Sequence, residues 1–158
     1  MLPWVSWGTF QGSDPQLAVL IRELLLQYGQ GTAYLATVRR DGGPRVHPVS
    51  PIIGEEALYC FVIASHKRDD LIRDGRYALH SFPAESSDAE AYLCGRARQV
   101  FNLSIVDRVA REHRASPGAD WTLFELSVDF AMLHRYIPGT RPYVWRAPRA
   151  RPRLLVAA

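Results

Sequence analysis

The chain has 158 residues, 47% hydrophobic and 22% charged, which supplies one domain with a real core and excludes a disordered body. No apolar run approaches the roughly 18 residues of a membrane span, and the start, MLPWVSWGTF, lacks the basic and apolar stretches of a secretion signal, so a cytoplasmic location is expected. The net charge of +3 sits at one end: residues 1–145 hold 15 basic and 16 acidic side chains, while Arg146, Arg149, Arg151 and Arg153 follow, so the body lacks the basic face of a nucleic-acid binder.

The first predicted element is a helix. Ser13 or Asp14 can cap it, Pro15 suits its first turn, and Leu17, Leu20, Ile21, Leu24, Leu25 and Tyr28 form one apolar stripe before Gly29. The period then changes. Ala33 to Val38 and Arg45 to Ile53 read as the strands of a hairpin with Asp41-Gly42 at its turn. Ala57 to Ala64 reads as a strand buried on both faces. A short helix over Lys67 to Asp74 follows, with Leu71 and Ile72 inward and Gly75 ending it. Arg76 to Phe82 and Glu90 to Phe101 read as strands, and Gly95 marks a bulge or a close backbone approach in the second.

Asn102 can cap a helix over Leu103 to Arg114, with Leu103, Val106, Val109, Ala110 and His113 on its inner face. Ser116-Pro117-Gly118 is a loop. Trp121 to Val128, Phe130 to Ile137 and the short Tyr143 to Trp145 complete the strands. About seven short strands and two or three helices, in hairpin order, predict a small antiparallel β-barrel with helical covers. One domain is expected over 1–145, followed by a flexible Arg/Pro-rich tail over 146–158.

The common chemical motifs are missing. The sequence has no dinucleotide or nucleotide phosphate loop, no HExxH and no GxSxG. His47, His66, His80, His113 and His134 have no metal-ligand spacing, so no metal site is expected. Cys60 and Cys94 sit in apolar runs without a CxxC and read as reduced core thiols. One compositional fact points further: 18 of the 19 basic residues are arginine, and the one lysine is Lys67. Ser65, His66, Lys67 and Arg68 fall where a strand passes into a helix. The first helical amides are unsatisfied there, and a phosphate can sit against them. Arg45, His47 and Val49 share one face of the second strand, and Pro48 and Pro51 place that strand at an edge or a bulge.

These residues carry a family resemblance. AYLATVRRDGGPRVHPV (33–49), the strand Leu58 to Ile63, SHKRDDL (65–71), DGRYAL (74–79), Gly95-Arg96-Ala97 and Leu123 to Leu126 are similar, in order and spacing, to the pyridoxamine phosphate oxidase-related, flavin-binding split β-barrel proteins. The resemblance covers roughly residues 14–145, and the arginine-rich composition resembles short members of actinobacterial type. It implies a mainly β fold with flanking helices, a six-stranded antiparallel split β-barrel, working as a homodimer with two FMN sites at the subunit interface. A deazaflavin is the alternative cofactor, and heme a further one.

By the same resemblance, Ser65, His66 and Lys67 grip the flavin phosphate. Arg45, Val46, His47, Pro48, Val49 and Ser50 lie along the cofactor, and Trp145 reaches the ring from the other subunit. The resemblance implies an oxidoreductase that transfers a hydride to or from a small organic substrate, or else a non-catalytic flavin- or heme-binding protein. His47 is the candidate for proton transfer, because imidazole titrates near neutrality. Two departures count against vitamin B6 oxidation: Ser50 stands where those oxidases carry a lysine, and RAPRARPRLLVAA does not align with their basic C-terminal extension.

Overall fold

Two helices open the chain, α1 (Trp7–Ser13) and α2 (Pro15–Leu25). The computed structural model describes residues 3–85, 87–113 and 120–148. α1 has no counterpart among the elements predicted from the sequence. Ser6 caps it, its Oγ accepting from Thr9 N at 3.2 Å, and Trp7 and Phe10, one turn apart, are fully buried. α2 begins as predicted, with Asp14 Oδ1 accepting from Leu17 N at 3.1 Å. It ends at Leu25, earlier than the stripe suggests. A tight turn follows, closed by Gly29 N donating to Leu26 O at 2.9 Å.

β1 (Ala33–Val38) and β2 (Pro44–Val49) form the predicted hairpin. Gly42 takes the left-handed φ of 84° that its turn requires. The single strand predicted over Arg45 to Ile53 is two strands. The chain breaks at Ser50, and β3 (Pro51–Ile53) leaves β1 to pair with β4 (Leu58–Ile63). Pro48 and Pro51 remove ladder donors on either side of the break, so the line of chain can exchange one partner for another there.

α3 (His66–Arg73) follows β4 and ends at Gly75, φ 75°. Leu71 is buried, but Ile72 is 57% exposed, against the expectation that both point inward. Adjacent helical residues stand about 100° apart, and α3 presents only one face to β1, β4 and β6. The remaining elements are β5 (Arg76–Ser81), β6 (Ala89–Gln99), α4 (Leu103–Glu112), β7 (Trp121–Leu126), β8 (Phe130–Arg135) and β9 (Tyr143–Arg146).

The strands run antiparallel in the order β2-β1-β5-β6-β7-β4-β3, with β8 on β6 and β9 on β8. β6 is the pivot. Residues 89–94 pair with β8, while residues 97–99 pair with β7. Between them lies Gly95, where a Cβ would meet Ser127 O at 2.2 Å. This is the close approach predicted at that glycine, and it is where the curled sheet splits. The fold is a mainly β, antiparallel split barrel with flanking helices. The nine strand segments among the described residues exceed the implied six partly because β2 and β3 are one line broken at Ser50.

The main core joins Trp7, Phe10, Leu17, Ile21, Leu35 and Phe124. A smaller one lies where Val109 of α4 meets Phe61 and Leu123. Asn102 caps α4 as predicted, its Oδ1 accepting from Ser104 N at 3.0 Å. Leu103 is 76% exposed, not inward, because Ile105, Val106, Val109 and Ala110 form the packed stripe and Leu103 overhangs it. Arg114 and the Ser116–Gly118 loop lie outside the described residues. The folded body also passes the boundary expected at 145. Arg146 belongs to β9, and buried Ala147 donates its N–H to Asp129 O at 2.9 Å. Residues 149–158 of the expected tail lie outside the described residues. Among the described residues, no helix is long and apolar enough to cross a membrane.

Candidate functional site

The largely apolar line Val49–Ile53 faces the turn after α2 across a cleft of about 510 Å³, within the range of about 300–1,000 Å³ typical of small-molecule sites. Gly31 forms part of the rim. A Cβ there would meet Pro51 O at 1.9 Å, so a bare backbone lets the α2–β1 turn lie against the break between β2 and β3. Val49, Ile52, Phe61, Ile63 and Trp121 supply apolar walls, and Lys67 is the one lysine or arginine that lines the cleft among the described residues. His113 also reaches the wall.

Local geometry puts Lys67 there. Ser65 is extended, φ −172° and ψ 164°, and starts α3 immediately after β4. Its Oγ donates back to Ile63 O at 2.8 Å and makes no capping bond. The first turn of α3, which carries His66 and Lys67, therefore keeps amides without a side-chain cap. The next residue anchors the turn: Arg68 Nη1 donates to Asp120 O at 3.1 Å.

A second cavity, of about 490 Å³, lies beside the same helix start and is lined by Arg39, Arg40, Arg45, His66 and Arg73 with Asp41, Asp69 and Asp70. The predicted anion-binding residues thus divide between two cavities, Lys67 in the cleft and His66 with Arg45 in the basic one. Arg45 uses Nε to bind Asp70 and leaves both Nη groups unbonded among the described residues. His47 shares the inner face of β2 with Arg45 and Val49, as predicted, and lines neither cavity. Burial, then the charges of Lys67 and Arg45, lower its pKa against the pull of Asp70.

The other predicted residues are dispersed. Pro48, Val49 and Ser50 line the cleft. Val46 points outward and is 58% exposed. Trp145 packs on Phe10 of its own chain, ring centroids 4.8 Å apart, and donates Nε1–H to Ser13 Oγ at 3.1 Å. Sequence reasoning missed Phe61, Trp121 and His113. The pairing of β4 with β7, which sets Ile63 opposite Trp121, brings two of them to the cleft, and nothing local announces that pairing. Among the described residues, no group of three His, Cys, Asp or Glu side chains is arranged to hold a metal ion.

No family model matches the chain, and no curated protein matches it. Solved structures do. A Clostridium acetobutylicum protein related to general stress protein 26 of B. subtilis, of the pyridoxine phosphate oxidase family, is similar with a TM-score of 0.60 at 11% identity, over 80% of this chain and 95% of that one. A heme-binding protein from Mycobacterium smegmatis is similar at TM-score 0.58 and 20% identity, over 78% of this chain and 56% of that one. The heme storage protein HutZ from Vibrio cholerae is similar at TM-score 0.57 and 15% identity, over 77% and 93%. With its sheet split at β6 and its cleft between the β2–β3 line and the turn after α2, the chain has the split β-barrel fold of the pyridoxine phosphate oxidase-related proteins.

Proposed function

We propose that the chain binds a flavin, FMN or a deazaflavin, and acts as an oxidoreductase that moves a hydride to or from a small organic substrate. The observation that carries this reading is the pairing of an apolar cleft with the chain's single lysine at an uncapped helix start. An aromatic ring suits the first and a phosphate the second. The bound flavin supplies the hydride chemistry. Lys67 and the first amides of α3 hold the phosphate, with Ser65 setting the turn, Arg45 adding positive charge and His66 a ring nitrogen from the basic cavity. Pro48, Val49 and Ser50, which line the cleft, run along the cofactor. His47, on the inner face of β2, is the candidate for proton transfer in this reading. Although Trp145 packs on its own chain and is not taken to cover the ring, a homodimer belongs to this reading. Its support is the outer face of β2, where Pro44, Val46 and Pro48 are exposed.

A second reading is non-catalytic binding of a flavin or heme. His113 on the cleft wall favours it, since an imidazole can ligate heme iron, as do the two fold neighbours named for heme.

The test begins with the visible spectrum of the purified protein and titrations with FMN, a deazaflavin and heme. Lys67→Ala should weaken FMN by about 10- to 150-fold, the range for a charge-assisted bond, and leave riboflavin, which has no phosphate, nearly unchanged. Equal loss for both ligands removes the phosphate role. Heme binding without flavin binding selects the second reading.

A further inference from the structure

The protein has four tryptophans, and three are hydrogen-bonded parts of the fold. Trp4 donates to Glu125 Oε1 and Trp7 to Gln11 Oε1, both at 3.0 Å, and Trp145 donates to Ser13 Oγ at 3.1 Å. Trp121 differs. Its indole N–H has no partner among the described residues, its side chain lines the cleft, and it is 41% exposed beside Ile63, which is 45% exposed. Phe61 meets it nearly at right angles, 75° with ring centroids 6.5 Å apart. In either sense of that edge-to-face contact, one face of the indole stays uncovered by Phe61.

Trp121 is also held in fixed relation to Lys67. Asp120 O, one residue before it, accepts from Ala64 N and from Arg68 Nη1, each at 3.1 Å. Ala64 ends the line of β4, and Arg68 follows Lys67 in α3. The start of β7 and the start of α3 therefore move as one piece.

We infer that Trp121 is the stacking residue of the cleft: its indole face receives a planar aromatic ring whose anionic end is taken by Lys67. This rests on the flavin reading and deepens it. A ring stacked there is selected for flatness and aromatic area, a preference that Lys67 cannot supply.

The experiment titrates riboflavin and FMN into wild-type protein, Trp121→Leu, Trp121→Phe and Lys67→Ala, reading both tryptophan and flavin fluorescence. Thermal melts of each variant establish that it is folded. Trp121→Leu should weaken riboflavin and FMN alike, by roughly tenfold, and remove part of the tryptophan quenching. Trp121→Phe should keep most of the affinity while losing that quenching. Wild-type binding of both flavins with unchanged affinity in Trp121→Leu overturns the stacking role and leaves the flavin reading standing. Wild-type protein that binds neither of these flavins nor a deazaflavin overturns both.

Discussion

Arg45 Nε donates to Asp70 Oδ2 at 2.8 Å, and this contact ties the edge strand of the site to the helix that carries its lysine. Asp70 is only 6% exposed. The same oxygen accepts from Thr37 Oγ1 at 3.0 Å, and Arg73 approaches Oδ1 at 3.4 Å. One carboxylate on α3 is thereby joined to β1 through Thr37 and to β2 through Arg45. The position of His66 and Lys67 against β2 follows from that junction.

Removing the carboxylate should cost stability. Asp70→Ala leaves Arg45 and Thr37 facing a space with no acceptor, and breaking a buried pair from one side costs about 3–5 kcal/mol. The lower end applies here, because 27% of the Arg45 side chain is exposed and water can reach it. Urea unfolding should show the loss as a lower midpoint. An unchanged midpoint would mean that the junction contributes nothing.

The same pair gives a pH dependence. Burial of Asp70 opposes its charge, but the hydrogen bonds from Arg45 and Thr37, with the charges of Arg45 and Arg73, outweigh burial and hold the carboxyl below its usual value. A group whose pKa is depressed on folding stabilises fully above its unfolded value, about 3.9 for Asp, and loses that contribution as pH falls through the folded value. The stability gap between wild type and Asp70→Asn should be constant from pH 7 to about 5 and narrow below about 4. A gap that widens on acidification would contradict the assigned sign.

Much of the barrel is legible in the sequence because its signals are local. A run of strand formers and the Asp41-Gly42 turn give β1 and its hairpin, and Gly75 and Asn102 mark a helix end and a helix start by backbone and capping chemistry alone. α1 escapes notice because its seven residues show only two large apolar side chains, Trp7 and Phe10, too few to establish a period. The site is legible in part. Lys67 stands out by composition, Pro48 by its place in a proline-marked edge strand, and Val49 and Ser50 through the family resemblance. Phe61, Trp121 and His113 reach the cleft only through the pairing of β4 with β7 and the seating of α4, which are long-range contacts. The division of Arg45, His66 and Lys67 between two cavities is likewise set by how α3 packs, which residue spacing does not encode.

Gly95 should tolerate no side chain. A Cβ there would lie 2.2 Å from Ser127 O and 2.7 Å from Ser127 Oγ, and neither can withdraw. Ser127 O accepts from Tyr77 OH at 2.6 Å, and Ser127 Oγ accepts from Arg96 N at 2.9 Å. Gly95→Ala must push β6 away from residue 127 and should destabilise by at least about 2 kcal/mol, within the range for overpacking. Gly12→Ala is the control. It meets nothing within 4 Å inside α1, so it should be neutral or stabilising by up to about 1 kcal/mol. Comparable melting temperatures for the two variants would contradict the close approach at β6.

Cys60 should be chemically silent although it neighbours the cleft residue Phe61. It is 1% exposed, and burial pushes its thiol up to about 12 while the charge of Lys67 pulls weakly the other way. At pH 8 about one molecule in ten thousand would carry the thiolate, the only form that attacks a disulfide reagent. Native protein should therefore leave Cys60 unlabelled by an aromatic disulfide until urea unfolds it, with the half-buried Cys94 reacting first. Cys60→Ala should leave flavin affinity unchanged. Rapid labelling of Cys60 in the native state, blocked by bound flavin, would instead place a reactive thiol in the cleft, and the proposed chemistry would then have to include a protein nucleophile.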